Sequence, residues 1–412
     1  MTRIEPSRTH ALTPPAGADD PSDARLPAEE LKARVETVAA LAEENAADVD
    51  RQARFPTEAI EAARAQRLMG IMVPRELGGE GASLPAVTDI CYRLGRACAS
   101  SAMIYAMHQI MVACLLRHHA NTAWHKALLR RLCAEQLLFA SSTTEGRGGG
   151  NLRSSEAPIE RIGSRISLER RATVISYGAN ADGIVTTARR AADAAASDQV
   201  LVVFLKEDYS LEPLVAWDTL GMRGTCSAGF TLRASGEANQ ILPEPYEVIH
   251  PQTMVPVSHL TWASVWAGIA AGSVERAQFF VRNAARQAGG QLPPGAAHYT
   301  TATASLMTLR GLVASSLQRF EQASHDQQKL ASLDFQTMVN LTKVEASELA
   351  VSTVMAAFRA CGLSGYRNDG EYTMGRYLRD VVSSPIMINN DRILANVGAS
   401  SLMSPVPSAL RD

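Results

Sequence analysis

Three histidines, His118, His119 and His125, fall within eight residues of one another. Clustered imidazoles are potential metal ligands, but no cysteine or carboxylate completes the set at a metal-ligand spacing. The expectation is therefore no metal centre. The six cysteines (Cys91, Cys98, Cys114, Cys133, Cys226 and Cys361) are scattered without a CxxC pair. That pattern argues against both zinc and a disulfide framework and points to a reducing, cytoplasmic compartment. Two further groups have the chemistry for proton transfer. His259 carries a side chain whose ordinary titration lies near neutrality. Asp391 is a carboxylate at the start of an apolar-periodic run, and it reads better as a helix N-terminal acid favoured by the dipole.

These groups must be positioned by the elements around them. Residues 27–137 have a helical pattern, with Leu31, Val35, Val38 and Leu41 at helical spacing and Pro56-Thr57-Glu58 opening a second amphipathic segment. Residues 138–249 change character. Short β-like runs at 137–142, 165–168, 172–177, 183–188, 199–205 and 229–234 are separated by Gly, Asp and Ser clusters, as expected of antiparallel strands joined by turns. From about residue 250 to 412 the helical period returns, broken most clearly by the glycines and prolines of 289–295. Residues 1–26, rich in Pro, Ser, Asp and Ala with no apolar h-region, read as a disordered leader. The fold class expected is α+β, with helices, then a small β domain, then helices.

The 412 residues suffice for two or three packed domains, and 46% hydrophobic with 20% charged residues is ordinary for a globular chain. A net charge of −2 supplies no field for nucleic acid or an anionic membrane. No apolar run reads as the roughly 18 residues of a membrane span.

Four motifs in order carry a family resemblance. Leu68-Met69-Gly70-Ile71-Met72-Val73-Pro74-Arg75-Glu76-Leu77-Gly78-Gly79-Glu80-Gly81 is similar to the "PEEYGGxG" turn of acyl-CoA dehydrogenases. Thr143-Thr144-Glu145, with Gly146 and Gly148-Gly149-Gly150, resembles their "VTEPxAGSD" flavin loop, and Gly221-Met222-Arg223-Gly224-Thr225 their "GMRGT" signature. Gly362-Leu363-Ser364-Gly365-Tyr366 followed by Arg379-Asp380 resembles their C-terminal "GGxGY…RD". The resemblance spans residues 30–400 and implies an N-terminal helical domain, a middle antiparallel β domain and a C-terminal four-helix bundle.

It also implies FAD, with FMN as the alternative. Thr144 and Ser176 would hold the isoalloxazine through hydroxyls, Thr143 and Ile175 through backbone, and Gly149 and Gly150 would let the chain approach it closely. The family's aromatic residue beside the flavin corresponds to Val174. In such enzymes a neighbouring subunit completes the site, which implies a homotetramer or homodimer. That contribution maps to Arg359, Gly362, Gly365 and Asn390. Residues 290–295 replace the family's "RxxFG" element, and with it part of the adenine end.

The family's catalytic glutamate corresponds to Ile388, and its alternative position to Val265. An arginine and an aspartate near CoA correspond to Trp266 and Ala263. Asp391, one helical turn from Ile388, and His259 are the remaining candidates for a base. Three functions follow from the resemblance. The first is Cα–Cβ oxidation of an acyl thioester, carried by CoA or a carrier protein, with electron-transfer flavoprotein as acceptor. The second is a monooxygenase using reduced flavin and O₂, supplied by a flavin reductase. The third is a non-catalytic acyl-binding homologue.

Overall fold

The structure is a computed structural model that describes residues 28–145 and 154–403, with Val406 and Ser408. The expected leader (1–26) and the flavin-loop glycines Gly149 and Gly150 lie outside the described residues.

The N-terminal region is helical: α1 (Ala28–Gln52), α2 (Thr57–Ala65), α3 (Leu84–Ala97), α4 (Ala99–His118) and α5 (Ala123–Glu135). Ser83 caps α3 by accepting the Ala86 N–H, and Pro85 fits its first turn. Helix α4 is apolar all round and buried on every side, as a central helix must be. It is the one helix among the described residues long and apolar enough to cross a membrane, which corrects the expectation of no such run. In this fold 89% of its most apolar window is buried inside the protein.

The middle region holds two sheets. Strands β1 (Phe139–Ser142), β4 (Gly183–Arg189) and β5 (Gln199–Leu205) form one, in the order β1-β4-β5. Strands β2 (Glu160–Ile162), β3 (Arg165–Ala172), β7 (Gly229–Glu237) and β6 (Tyr209–Val215) form the other, in the order β2-β3-β7-β6. The second sheet is antiparallel throughout, whereas β1 and β4 run parallel, with Ala140 opposite Ile184. The long stretch of chain between them, including the β2–β3 hairpin, provides the crossover that a parallel pair needs. The strand expected at 172–177 is absent. The chain leaves β3 at Ala172 and turns, with Tyr177 in the left-handed region at φ 44°. Two strands escaped the pattern: β2 is short and exposed, and β6 is an edge strand with Pro213 at a register shift.

The C-terminal region begins with α6 (Tyr246–Ile249), which continues through a π-helical turn (His250–Met254) into α7 (Val255–Gln287). Helices α8 (Ala296–Ala323), α9 (Gln327–Ala331), α10 (Leu333–Tyr366), α11 (Gly375–Val381) and α12 (Asn390–Met403) follow. Three long helices, α7, α8 and α10, pack together, and the shorter α12 packs on α10 through Val344, Ile393 and Val397. Helix α7 also joins the first and last regions. It meets α3 so closely that a Cβ on Gly268 would stand 2.2 Å from the Tyr92 carbonyl oxygen. Glycine is required there because the obstacle is backbone.

Candidate functional site

A cavity of about 530 Å³ lies where the three regions meet. Helix α4 lines it with Met103, Met107, Ile110 and Met111, three of the four being methionines at helical spacing. Met222, Met254 and Met387 add more sulfur from other elements, so the wall is apolar and adaptable. Helix α7 contributes Val255, Ser258, His259 and Trp262, and the turn after α11 contributes Val382, Ser383, Ile386, Met387 and Ile388.

The hydroxyl groups gather on the β-region side: Ser141, Thr143, Thr144, Ser176, Thr225 and Ser227 all line the cavity. Three of them are chained. Ser227 Oγ lies 2.8 Å from Ser176 Oγ and 2.7 Å from Thr225 Oγ1, which lies 2.8 Å from the Met222 carbonyl oxygen. Each hydroxyl has one hydrogen and the Met222 carbonyl can only accept, so the row runs from Ser176 through Ser227 and Thr225 to Met222. Ser176 therefore presents an acceptor to the cavity. Val174 stands beside it, partly exposed, as a small apolar surface. Glu145 anchors the threonine pair by accepting the N–H groups of Glu156 and Ala157, with the buried Arg170 Nε 3.4 Å away.

Thr143, Thr144 and Ser176 thus share one cavity wall. Ile175 is fully buried behind them, donating its N–H to the Ala228 carbonyl at 2.8 Å, and lies on a turn rather than a strand. Arg359 and Gly362 are exposed on α10 away from this cavity, and Gly362 breaks the helix with φ 53°. Gly365 is buried against Cys361. Asn390 is not free to hold a ligand within this chain. Its amide donates to Ser347 Oγ (2.9 Å) and Glu348 Oε1 (2.8 Å), and its oxygen accepts from Lys343 Nζ (2.7 Å). A buried ammonium draws that side chain into the bundle.

The two candidate bases fare differently. Asp391 is exposed on the first turn of α12 and is not part of the cavity wall, because the helical turn carries it to the outside. That corrects its candidacy. His259 does line the cavity, but it is fully enclosed, and burial, reinforced by the Lys343 charge, pulls its pKa down to about 3. Its imidazole is neutral and a weak base. Val265, Trp266 and Ala263 are buried within α7 and do not touch the cavity. Trp262 is the last residue along α7 to line the cavity. Among the described residues, the wall contains no carboxylate, and its one permanent cation, Arg379, is paired with Asp50.

Sequence reasoning missed Lys343. It sits on α10 with its side chain buried, donating to the carbonyls of Ser384 (3.1 Å) and Ile388 (2.9 Å) and to Asn390 Oδ1 (2.7 Å). The local sequence carried no signal, since Val339-Asn340-Leu341-Thr342-Lys343-Val344-Glu345-Ala346 alternates apolar and polar residues. Ile388, one of its partners, has φ 49°, a left-handed conformation that a β-branched residue adopts at a cost of about 1–3 kcal/mol.

Residues 28–136 match the family of acyl-CoA dehydrogenase N-terminal domains, and residues 260–384 match that of the C-terminal domains. The chain belongs to the acyl-CoA dehydrogenase superfamily. A probable acyl-CoA dehydrogenase, fadE25 of Mycobacterium leprae, is 24% identical across 92% of this chain and 96% of its own. L-Evernosamine nitrososynthase from a Micromonospora species is 29% identical across 83% of this chain and 82% of its own. The FMN-bound crystal structure of TdsC from Paenibacillus sp. A11-2 superposes with a TM-score of 0.81, covering 93% of this chain and all of that one. At 18% identity, that likeness shows the fold.

Proposed function

We propose that this protein is a flavin-dependent monooxygenase that uses reduced flavin and O₂ to oxygenate a neutral, largely apolar small molecule. One observation carries this choice over acyl-thioester desaturation. The described residues of the cavity wall include no carboxylate, and its only imidazole is held neutral with a pKa of about 3. Removing the α-proton of an acyl thioester needs a base within hydrogen-bond reach whose pKa approaches the working pH. Oxygen insertion does not.

The residues present fit a flavin ring. Thr143, Thr144 and Ser176 supply hydroxyls on one side, and Val174 leaves room for a flat apolar surface. The relatives include a probable acyl-CoA dehydrogenase and a nitrososynthase, and the solved TdsC is described as a dibenzothiophene monooxygenase and with FMN. FMN suits this chain, since 290–295 lacks the family's adenine-contacting element; FAD is the alternative. A bound reduced flavin would supply the two electrons that, with O₂, oxygenate the substrate and release water. The chain's own residues do the rest. The methionine wall excludes water and receives an apolar substrate. The Ser176–Ser227–Thr225 row would hold Ser176 Oγ oriented as an acceptor for a flavin N–H. Flavin reductase and O₂ would be the redox partners, and a homotetramer or homodimer would bring Arg359, Gly362 and Gly365 to a neighbouring site.

An anaerobic titration separates the readings. The flavin should resist bleaching by a panel of acyl-CoAs, bleach with NADH and a flavin reductase, and reoxidise with oxygen uptake coupled to product. Stoichiometric bleaching by an acyl-CoA would overturn the proposal in favour of the dehydrogenase, with electron-transfer flavoprotein as its acceptor.

A further inference from the structure

We propose that Lys343 is a positioning residue, whose three N–H bonds staple the turn 384–390 and so set where Met387 and Ile388 stand in the cavity wall. This inference does not depend on which substrate the cavity takes.

The argument starts from Ile388. A β-branched residue at φ 49° persists only where its surroundings over-determine the backbone. The turn itself supplies modest support: the Met387 N–H reaches the Ser383 carbonyl and the Asn390 N–H reaches the Pro385 carbonyl, each at 2.9 Å. Lys343 supplies the rest. Its Nζ reaches the two ends of the turn and the carbonyl of Ile388 itself, at 3.1, 2.7 and 2.9 Å. An ammonium has three donors, and here three oxygens face it. The Trp266 ring lies 5.5 Å from Nζ and closes another side with a surface that favours a cation. Among the described residues, no carboxylate bonds Nζ directly. Glu348 approaches only through the Asn390 amide.

Geometry thus requires the charged form for a complete staple, since a neutral amine has two hydrogens for three acceptors. Burial draws the lysine pKa down to about 7, and Glu348 opposes this. The titratable groups that bear on Nζ are Glu348 on its own helix and His259 on α7, and the turn 384–390 contributes only neutral oxygens. The staple therefore loosens as pH rises through neutrality, and the wall beside Ile388 loosens with it.

Amide hydrogen exchange on the full-length protein, without ligand, tests this. Protection is expressed against the intrinsic rate at each pH. In the wild type, protection at Met387 and Asn390 should fall about threefold or more between pH 6 and pH 9, while that of α8 stays level. In Lys343→Met, protection of the turn should be low at pH 6 and independent of pH. Wild-type protection that is flat with pH would overturn the proposal even if the variant loosens, because packing alone would explain such a loss. A folded Lys343→Met with wild-type protection would also overturn it. If the variant does not fold, the wild-type series decides alone.

Discussion

Asp380 Oδ1 accepts the backbone N–H of Met222 at 2.7 Å, across 158 residues of sequence. The bond joins two motifs read separately along the chain, the glycine-rich Gly221-Met222-Arg223-Gly224-Thr225 turn and the Arg379-Asp380 pair. Both neighbours are part of the cavity wall. Met222 and Arg379 line it, and Arg379 continues to Asp50 on α1, so one short run of contacts ties all three regions together. The site is built on this junction.

Gly221 makes the junction possible. A Cβ there would stand 1.9 Å from the Arg379 carbonyl oxygen and 2.7 Å from the Asp380 nitrogen, both backbone atoms that cannot swing aside. Gly221→Ala should destabilise the protein by about 1–3 kcal/mol or more. In urea unfolding, the midpoint should drop with little change in slope. An unchanged midpoint would mean that the junction yields freely.

Asp380 gives the junction a pH dependence. Burial raises its carboxyl to about 6 from an ordinary 3.8, with Arg376 opposing. Between those values the native state holds a proton that the unfolded chain has released. Its contribution to stability is therefore complete below about pH 4 and is lost as pH rises through 6. Asp380→Asn keeps an acceptor for Met222 and removes the titration. Stability of the wild type relative to Asp380→Asn should rise by about 3 kcal/mol, at order of magnitude, as pH falls from 7 to 4. Parallel unfolding curves at the two pH values measure it. A constant difference would contradict the buried carboxylate.

Ser176 faces the cavity at the end of the hydroxyl row. Ser176→Ala removes one hydrogen bond to a flavin ring, a net loss of about 0.5–1.5 kcal/mol, or roughly two- to tenfold in Kd. Ser227→Ala should cost less, since the Ser176 hydroxyl remains. Fluorescence titration of the apoprotein with FMN reads both. Equal affinity for wild type and Ser176→Ala would remove this serine from the flavin site.

Much of the fold could be read from the chain because its signals are local. The periodicity of α1, α7 and α10 marks helices, and the apolar run of β5 marks a buried strand. The weaker signals failed for physical reasons. Strand β6 is an exposed edge interrupted by Pro213, and of the run at 172–177 only Ala172 pairs, while Ile175, Ser176 and Tyr177 are buried where the chain turns. Helix α4 has the composition of a membrane span because it runs through the centre of the protein. At the site, Thr143, Thr144 and Ser176 could be read from their motifs. The inward face of His259 could not, nor could the outward face of Asp391.

From sequence alone came the order of helices, strands and helices, the four motifs, and the absence of a glutamate at Ile388. These depend on residue type and spacing within short windows. The tertiary structure alone decided which of those residues share a wall. It brought Met222 to Asp380 and Lys343 to Ile388, silenced His259 by enclosing it, and turned Asp391 outward. Each of these is a matter of distance and burial between segments far apart in the chain. A carboxylate or an imidazole becomes a base, or fails to, through surroundings that no local window contains.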